Sequence, residues 1–444
     1  MLLTKAVPII MTTLSIVLFT CCVRVDHSVE EEIEEGNQSD LPANHNNVPN
    51  ILFIIADDMG VDACPGYPEG EQKPAMPQLS TLAAEGITFD NAWVYPLCSP
   101  TRASLLTGKY GSRTGILTVD GAHLSESEMG IQRYLDLHTD STYAHALIGK
   151  WHLSPYNQPE APNKLGIGYF AGFMQGGLQD YNSWSLVQDG VSSTCNTYNT
   201  AKLTDLSIAW INAQEKPWFC WLAYATPHTP FHTPPSNTYS QHITNDSELS
   251  MYLAMMENLD YEMDRLFDAI PPDVLENTMI IFLGDNGTDK NVLQLPYRGR
   301  KAKGSLYQGG VRVPLIISGK GVDRKNVRDG NLISAVDFFA TIADIAGTGT
   351  STYEDGYSFK KLLSEDTQVD RVYDLSEIDH GDDYRFTIRD SKYKLITNND
   401  GDDELYNLLD DPYEKTNLIN STHTEDQEAV TILTGEGKRI LNLQ

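Results

Sequence analysis

From about residue 50 onwards, apolar runs alternate with amphipathic stretches, and several runs stop abruptly at polar clusters. Asn50–Ala56 is apolar after its first residue, the pattern of a strand buried on both faces. Thr142–Ile148, Trp218–Ala225, Met279–Leu283 and Val313–Ile317 predict further strands. Helical stretches lie between them. Met76–Glu85 predicts a helix closed by Gly86, and Ser334–Ile345 another with Gly347 beyond it. In Asn245–Ile270, Leu249, Leu253, Met256, Leu259, Met263, Leu266 and Ile270 recur at helical spacing, with Asn245 and Glu248 as an N-terminal capping arrangement. This alternation predicts an α/β fold with a mostly parallel central sheet flanked by helices. After about Thr350 the runs shorten to Arg385–Ile388, Tyr393–Thr397 and Glu404–Asn407, which predicts a smaller C-terminal α+β subdomain on an antiparallel sheet.

Composition adds compartment and excludes one partner. A net charge of −29 argues against a nucleic-acid surface and suits a solvated extracellular one. Residues 1–21 read as a signal peptide, with Lys5 ahead of the apolar stretch Ala6–Phe19. The stretch ends in Leu18-Phe19-Thr20-Cys21, which resembles a lipoprotein box with Cys21 as the lipidated residue; plain cleavage is the competing reading. Residues 22–48 are polar and acidic, a flexible tether. The expected divisions are a catalytic domain over 49–350 and a C-terminal subdomain over 351–444. Export implies the periplasm or cell surface, with membrane anchoring if Cys21 is lipidated. Six cysteines in 444 residues imply no disulfide framework, and Cys220 lies in an apolar run as a core residue.

The chemistry gathers at predicted strand ends, where ligands bind in open α/β sheets. Asp57-Asp58, Lys150 with His152, His228, and Asp285-Asn286 each follow an apolar run. Taken singly, each is as well explained by a turn, a helix cap or a hydrogen-bonded structural histidine. Together they offer three carboxylates and an amide oxygen, which suits Ca²⁺ or Mg²⁺ better than Zn²⁺. Cys98-Ser99-Pro100-Thr101-Arg102 predicts a helix start, with Ser99 as N-cap, Pro100 at the first position and Gly108 at the end. Cys98 then precedes a helix N-terminus that favours an anion, and Arg102 reaches back from one turn inside. A buried structural cysteine is the alternative. Arg298–Gly304 holds four cations in seven residues, either a solvated loop or an anion-attracting patch that includes Lys303.

These residues resemble the type I sulfatases of the alkaline-phosphatase-like superfamily. Cys98-Ser99-Pro100-Thr101-Arg102 with Leu106-Thr107-Gly108 is similar to the family's C-x-P-x-R signature and its continuation. Gly149-Lys150-Trp151-His152, Pro227-His228, Gly284-Asp285-Asn286-Gly287 and Lys303 before Tyr307-Gln308-Gly309-Gly310 follow in family order. Tyr393–Ile396 and Leu405–Leu408 through Asp411-Pro412 to Asn417-Leu418 resemble the family's C-terminal hallmark. Gln308 departs from the glutamate of many members but lies outside the expected ligand set.

The resemblance implies an alkaline-phosphatase-like fold and oxidation of Cys98 to formylglycine (3-oxoalanine) by a formylglycine-generating or anaerobic sulfatase-maturating enzyme. One hydroxyl of the aldehyde hydrate attacks the sulfur of a sulfate ester. Deprotonation of the other expels sulfate. Asp57, Asp58, Asp285 and Asn286, with the residue at Cys98, are implied Ca²⁺ ligands. Arg102 and Lys150 are implied to stabilise the hydrate, His152 to act as base, and His228 and Lys303 to contact sulfate and the leaving oxygen. A sulfated carbohydrate, of algal or animal origin, is the expected substrate. The loops around Tyr156–Thr200 and Phe231–Asn245, with the C-terminal subdomain, are expected to set specificity. His380 and Arg389 are either sugar contacts or structural residues. The competing readings are a phosphomonoester or phosphonate hydrolase, and a non-catalytic lipoprotein that binds sulfated glycan.

Overall fold

A computed structural model describes residues 48–240, 247–381, 383–398 and 401–443. The expected signal peptide, the tether up to residue 47, Cys21 and the Asn245 cap lie outside the described residues; Val48, the tether's expected last residue, packs against the core and accepts from Asn277 Nδ2. Ten strands form one sheet: β1 (Asn50–Ala56), β2 (Gly86–Trp93), β3 (Ala144–Lys150), β4 (Tyr169–Phe173), β5 (Trp184–Gln188), β6 (Val191–Cys195), β7 (Trp218–Ala223), β8 (Thr278–Gly284), β9 (Leu315–Gly319) and β10 (Val327–Ser334). Their order is β10-β2-β9-β8-β1-β7-β3-β4-β5-β6. The middle strands β8-β1-β7-β3-β4 are parallel. The expected strand near Val313–Ile317 is β9, and it runs antiparallel between β2 and β8.

The continuous apolar run of β1 is explained by its two faces. Ile51, Phe53 and Ile55 enter one core, Leu52, Ile54 and Ala56 the other, and all six are fully buried. The helices Cys98–Thr107 and Asp337–Ile345 pack together on the first face. Asn199–Ile211 and Glu248–Ala269 cover the second. The long helix starts at Glu248, where Ser247 accepts a hydrogen bond from the Ser250 amide and acts as the cap.

Gly86 does not end the preceding helix. That helix is Pro77–Ala84, and Gly86 opens β2, where a Cβ would sit 2.1 Å from the Ile317 carbonyl oxygen of β9. Met76 supplies no side-chain cap to the helix. Asp260 does so from the neighbouring long helix, accepting from the amides of Gln78 (3.0 Å) and Leu79 (2.9 Å). Asp260→Ala is expected to cost about 1–2 kcal/mol, read as a lower urea midpoint with an unchanged slope. An unchanged midpoint would dismiss this cross-helix cap.

The C-terminal part is a four-stranded antiparallel sheet, Asp374–Asp379, Tyr384–Arg389, Tyr393–Ile396 and Glu404–Asn407, with the helix Thr424–Leu441 packed on its middle strands. Gly437 of that helix meets the Phe386 ring, where a Cβ would lie 2.4 Å from the ring edge. The cysteines among the described residues, Cys64, Cys98, Cys195 and Cys220, are buried and unpaired.

Candidate active site

Four adjacent strands, β8-β1-β7-β3, end side by side and bring the predicted polar clusters together. β1 delivers Asp57 and Asp58, β8 delivers Asp285 and Asn286, and β3 ends on Lys150 with His152 just beyond. The loop after β7 carries His228. Two residues here hold backbone conformations that L-residues rarely adopt, Asp58 at φ 70° and His152 at φ 55°. Outliers of this kind persist where the surroundings hold them, and they cluster at functional sites.

Cys98 is the first residue of its helix rather than the residue before it. Ser99 does not cap. Its Oγ donates to the His152 carbonyl at 2.8 Å, a tertiary bond that outcompetes the local one. Gly108 ends the helix in the left-handed conformation, φ 68°. Cys98 Sγ lies 3.2 Å from His152 Nδ1 and is 2% exposed. Arg102 turns towards Asp285, donating from Nε (3.2 Å) and Nη2 (2.7 Å) to Oδ2, and from Nη1 to the Lys150 carbonyl at 3.0 Å.

The cations and carboxylates interlock. Lys150 Nζ donates to Asp57 Oδ2 at 2.6 Å, and Lys303 Nζ to Asp58 Oδ1 at 2.5 Å. Asn286 Nδ2 donates to Asp58 Oδ1 at 2.8 Å, and the Asp58 amide to Asp285 Oδ1 at 3.1 Å. His228 Nδ1 sits 2.8 Å from the Thr229 carbonyl, which can only accept; Nε2 is 3.8 Å from Asp58 Oδ2. Burial raises the Asp57 carboxyl to about 7, reinforced by Asp285 and opposed by Lys150. Burial also opposes ionisation of Asp58, but Lys303 and then His228 hold it below the usual carboxylate range. Burial, Lys150 and Arg102 push His152 down to about 3, so its imidazole is neutral.

Among the described residues, two buried oxygens of this cluster have no hydrogen-bond partner, Asp57 Oδ1 and Asn286 Oδ1. Unpaired buried polar atoms are costly, and a hard cation satisfies oxygen donors. Asp57, Cys98 and Asp285 can bring one ligand atom each within 4.8 Å of the others, as can Asp57, Asp58 and His228. The donor set therefore fits an oxygen-seeking divalent ion.

The basic segment Arg298–Gly304 forms no shared anion patch. Lys303 reaches Asp58, Lys301 donates to the carbonyls of Tyr413 and Glu414, Arg300 pairs with Glu404, and Arg298 is exposed. Arg389 is structural: it is buried, donates to Asn91 Oδ1 (3.0 Å) and the Asp390 carbonyl (2.9 Å), and lies over the Trp93 ring. His380 is exposed at the end of a C-terminal strand. Sequence reasoning missed a buried network behind the Lys303 loop. Glu414 accepts from Lys394 Nζ at 2.5 Å and from the Gln308 amide at 2.9 Å, while Gln308 Oε1 accepts from Trp93 Nε1 at 2.9 Å. It also missed Tyr252, whose hydroxyl donates to the Asp58 carbonyl at 2.9 Å. A lone tyrosine on an amphipathic helix carries no signal for that.

A family model described as Sulfatase matches residues 49–348, and one described as N-sulphoglucosamine sulphohydrolase, C-terminal, matches residues 299–434. Arylsulfatase J of Mus musculus is 27% identical over 365 residues, covering 74% of this chain and 58% of that protein. A sulfatase of Formosa agariphila is 25% identical over 481 residues, covering 84% of this chain and 85% of the relative. The chain spans less than two thirds of the length of the first curated relatives. Its fold matches that of Ps i-CgsB in complex with k-i-k-neocarrahexaose, with a TM-score of 0.77 at 24% identity over 89% of this chain and 93% of that one. Every site residue described above, from Asp57 to Lys303, lies inside the first matched region, and the chain belongs to the sulfatase family.

Proposed function

We propose that this protein hydrolyses sulfate esters on a sulfated carbohydrate. The observation that carries the reading is Cys98 held 3.2 Å from a neutral His152, beside buried carboxylates and three cations. The carbohydrate part is supported by the fold shared with Ps i-CgsB, whose structure holds k-i-k-neocarrahexaose. Oxidised to formylglycine, position 98 supplies a hydrated aldehyde as nucleophile towards sulfur. Asp57, Asp58, Asp285 and Asn286, with position 98, would hold Ca²⁺, which draws charge from sulfate oxygens. His152 Nδ1 is placed to take a proton from the group at position 98. Arg102 and Lys150 fix Asp285 and Asp57 and lend positive charge to the oxyanion beside them. We assign His228 and Lys303, both against Asp58, to the leaving oxygen, which must gain a proton as the S–O bond breaks.

The proposal extends to the whole chain: a signal peptide over 1–21, a tether over 22–48, a catalytic domain over 49–350 and a subdomain over 351–444. We place the protein outside the cytoplasm, in the periplasm or at the cell surface, anchored through Cys21 where that residue is lipidated. A maturating enzyme is the required partner. Among the described residues no helix is long and apolar enough to cross a membrane.

Protein made alongside a maturating enzyme is expected to yield a Cys98 peptide lighter by the exchange of a thiol for an aldehyde, seen by mass spectrometry. The same sample should turn over 4-nitrophenyl sulfate with a higher kcat/KM than 4-nitrophenyl phosphate. Chelation should abolish that turnover, with recovery on adding Ca²⁺. Faster phosphate turnover would move the protein to the phosphomonoesterases. Glycan binding with an unmodified cysteine and no turnover would make it a binding protein.

A further inference from the structure

A recess of about 350 Å³ opens beside His152, within the range of small-ligand pockets, about 300–1,000 Å³. Its walls include Val119, His152, Tyr156, Met174, Gln175 and Gly176. Gly176 brings backbone against the imidazole: a Cβ there would stand 2.3 Å from His152 Cε1. Met174 is buried, and the Gln175 side chain is exposed. Tyr156 is 74% exposed, far more than Tyr261 (43%) or Tyr357 (39%). A tyrosine ring left in water at the rim of a recess next to reactive groups offers an apolar face, and among the described residues no ring or cation stacks on it.

Charge distinguishes this recess from its neighbour. None of the residues lining it is a lysine, arginine, aspartate or glutamate. The cations of the site, Arg102, Lys150 and Lys303, are bound by Asp285, Asp57 and Asp58 and do not line it. Asp120, exposed next to Val119, adds negative charge to a chain already at −29. A second sulfate or a carboxylate placed here would meet no lysine or arginine of the wall and the negative field of the chain, a difference that discriminates between ligands. An uncharged pyranose has a C–H face suited to the Tyr156 ring and hydroxyls suited to the Gln175 amide.

We infer that the recess seats an uncharged sugar ring adjoining the sulfated one, with Tyr156 against its face, and that it disfavours substrates carrying a second anionic group there. The inference rests on the sulfate-ester reading of the neighbouring site. Its test is calorimetric binding to the full-length Cys98→Ala protein. One probe is neocarrabiose sulfated only on galactose; the other bears a second sulfate on the anhydrogalactose. The singly sulfated probe should bind about tenfold more tightly. Adding Tyr156→Ala should weaken it by about tenfold, and Tyr156→Trp should keep the affinity. Equal affinity for the probes, preference for the doubly sulfated one, binding of neither, or indifference to Tyr156→Ala would each overturn the inference. Turnover of 4-nitrophenyl sulfate by the unsubstituted protein is a separate gauge. Its absence removes the hydrolase reading and leaves the binding comparison intact, whereas a negative binding result leaves turnover standing.

Discussion

Cys98→Ala is expected to lower sulfate-ester turnover by on the order of 10⁴-fold or more while leaving the melting curve close to that of the parent. The loss is large because the proposed nucleophile forms from this side chain. The stability effect is small for a separate reason. Among the described residues Sγ makes a single side-chain hydrogen bond, to His152 Nδ1, and the helix it opens takes no side-chain cap. Ser99 still bonds the His152 carbonyl, and Arg102 still binds Asp285. Arg102→Ala would be a poorer test, because it strands a buried carboxylate and mixes folding with chemistry. Residual turnover within tenfold of the parent would remove position 98 from the mechanism.

Glu414→Gln is expected to destabilise the fold by about 3–5 kcal/mol, the usual cost of leaving one member of a buried ion pair alone. Glu414 and Lys394 side chains are both fully buried, and their bond is 2.5 Å. Burial lowers the Lys394 ammonium to about 8, with Glu414 acting against that fall. An amide at position 414 removes the opposing charge and lets the lysine drop further. The sign of the pH dependence follows. A lysine depressed in the folded state is disfavoured while the unfolded chain keeps its proton, so its contribution to stability rises from about pH 8 to the unfolded value near 10.4. In the variant the rise begins lower. The deficit measured at pH 7 should therefore shrink as the pH is raised to about 8, where the parent's own rise begins, and stay level from there to about 10. A deficit that does not shrink between about pH 7 and 8, or a total below about 1 kcal/mol, would mean that the charge of Glu414 is not what stabilises Lys394 in the fold. Because Glu414 also accepts from the Gln308 amide, the loop bearing Lys303 should loosen with it.

The central strands and the site could be read from the sequence because their signals are one-dimensional. An uninterrupted apolar run followed by Asp57-Asp58 is enough to place two carboxylates at the end of a buried strand. The missing parts have tertiary causes. Strand Asp374–Asp379 contains Asp374, Ser376 and Glu377, which look solvent-facing but are fully buried, Glu377 accepting from the hydroxyls of Tyr95 and Tyr384. Ser99 follows every local rule for a helix cap, yet a carbonyl over fifty residues away takes its hydroxyl. Helix Thr424–Leu441 has a narrow buried stripe, Ala429, Leu433, Gly437 and Leu441, thinned further by glycine. The four cations of Arg298–Gly304 look alike in sequence, and only the fold assigns them different partners.

The position of β1 between β7 and β8 also bears on how the protein is made. Asp58 and Asp285 are 227 residues apart, Arg102 and Asp285 183. Closing such loops is slow, and β1 gains its second neighbour only once residues up to Gly284 exist. A nascent chain halted earlier carries an apolar strand with one edge open and its terminal carboxylates uncompensated by Asn286 or Lys303. No fragment of the site can therefore work ahead of the whole. Appearance of activity during refolding should report completion of the sheet, and the interval before it is when this chain is most exposed to aggregation.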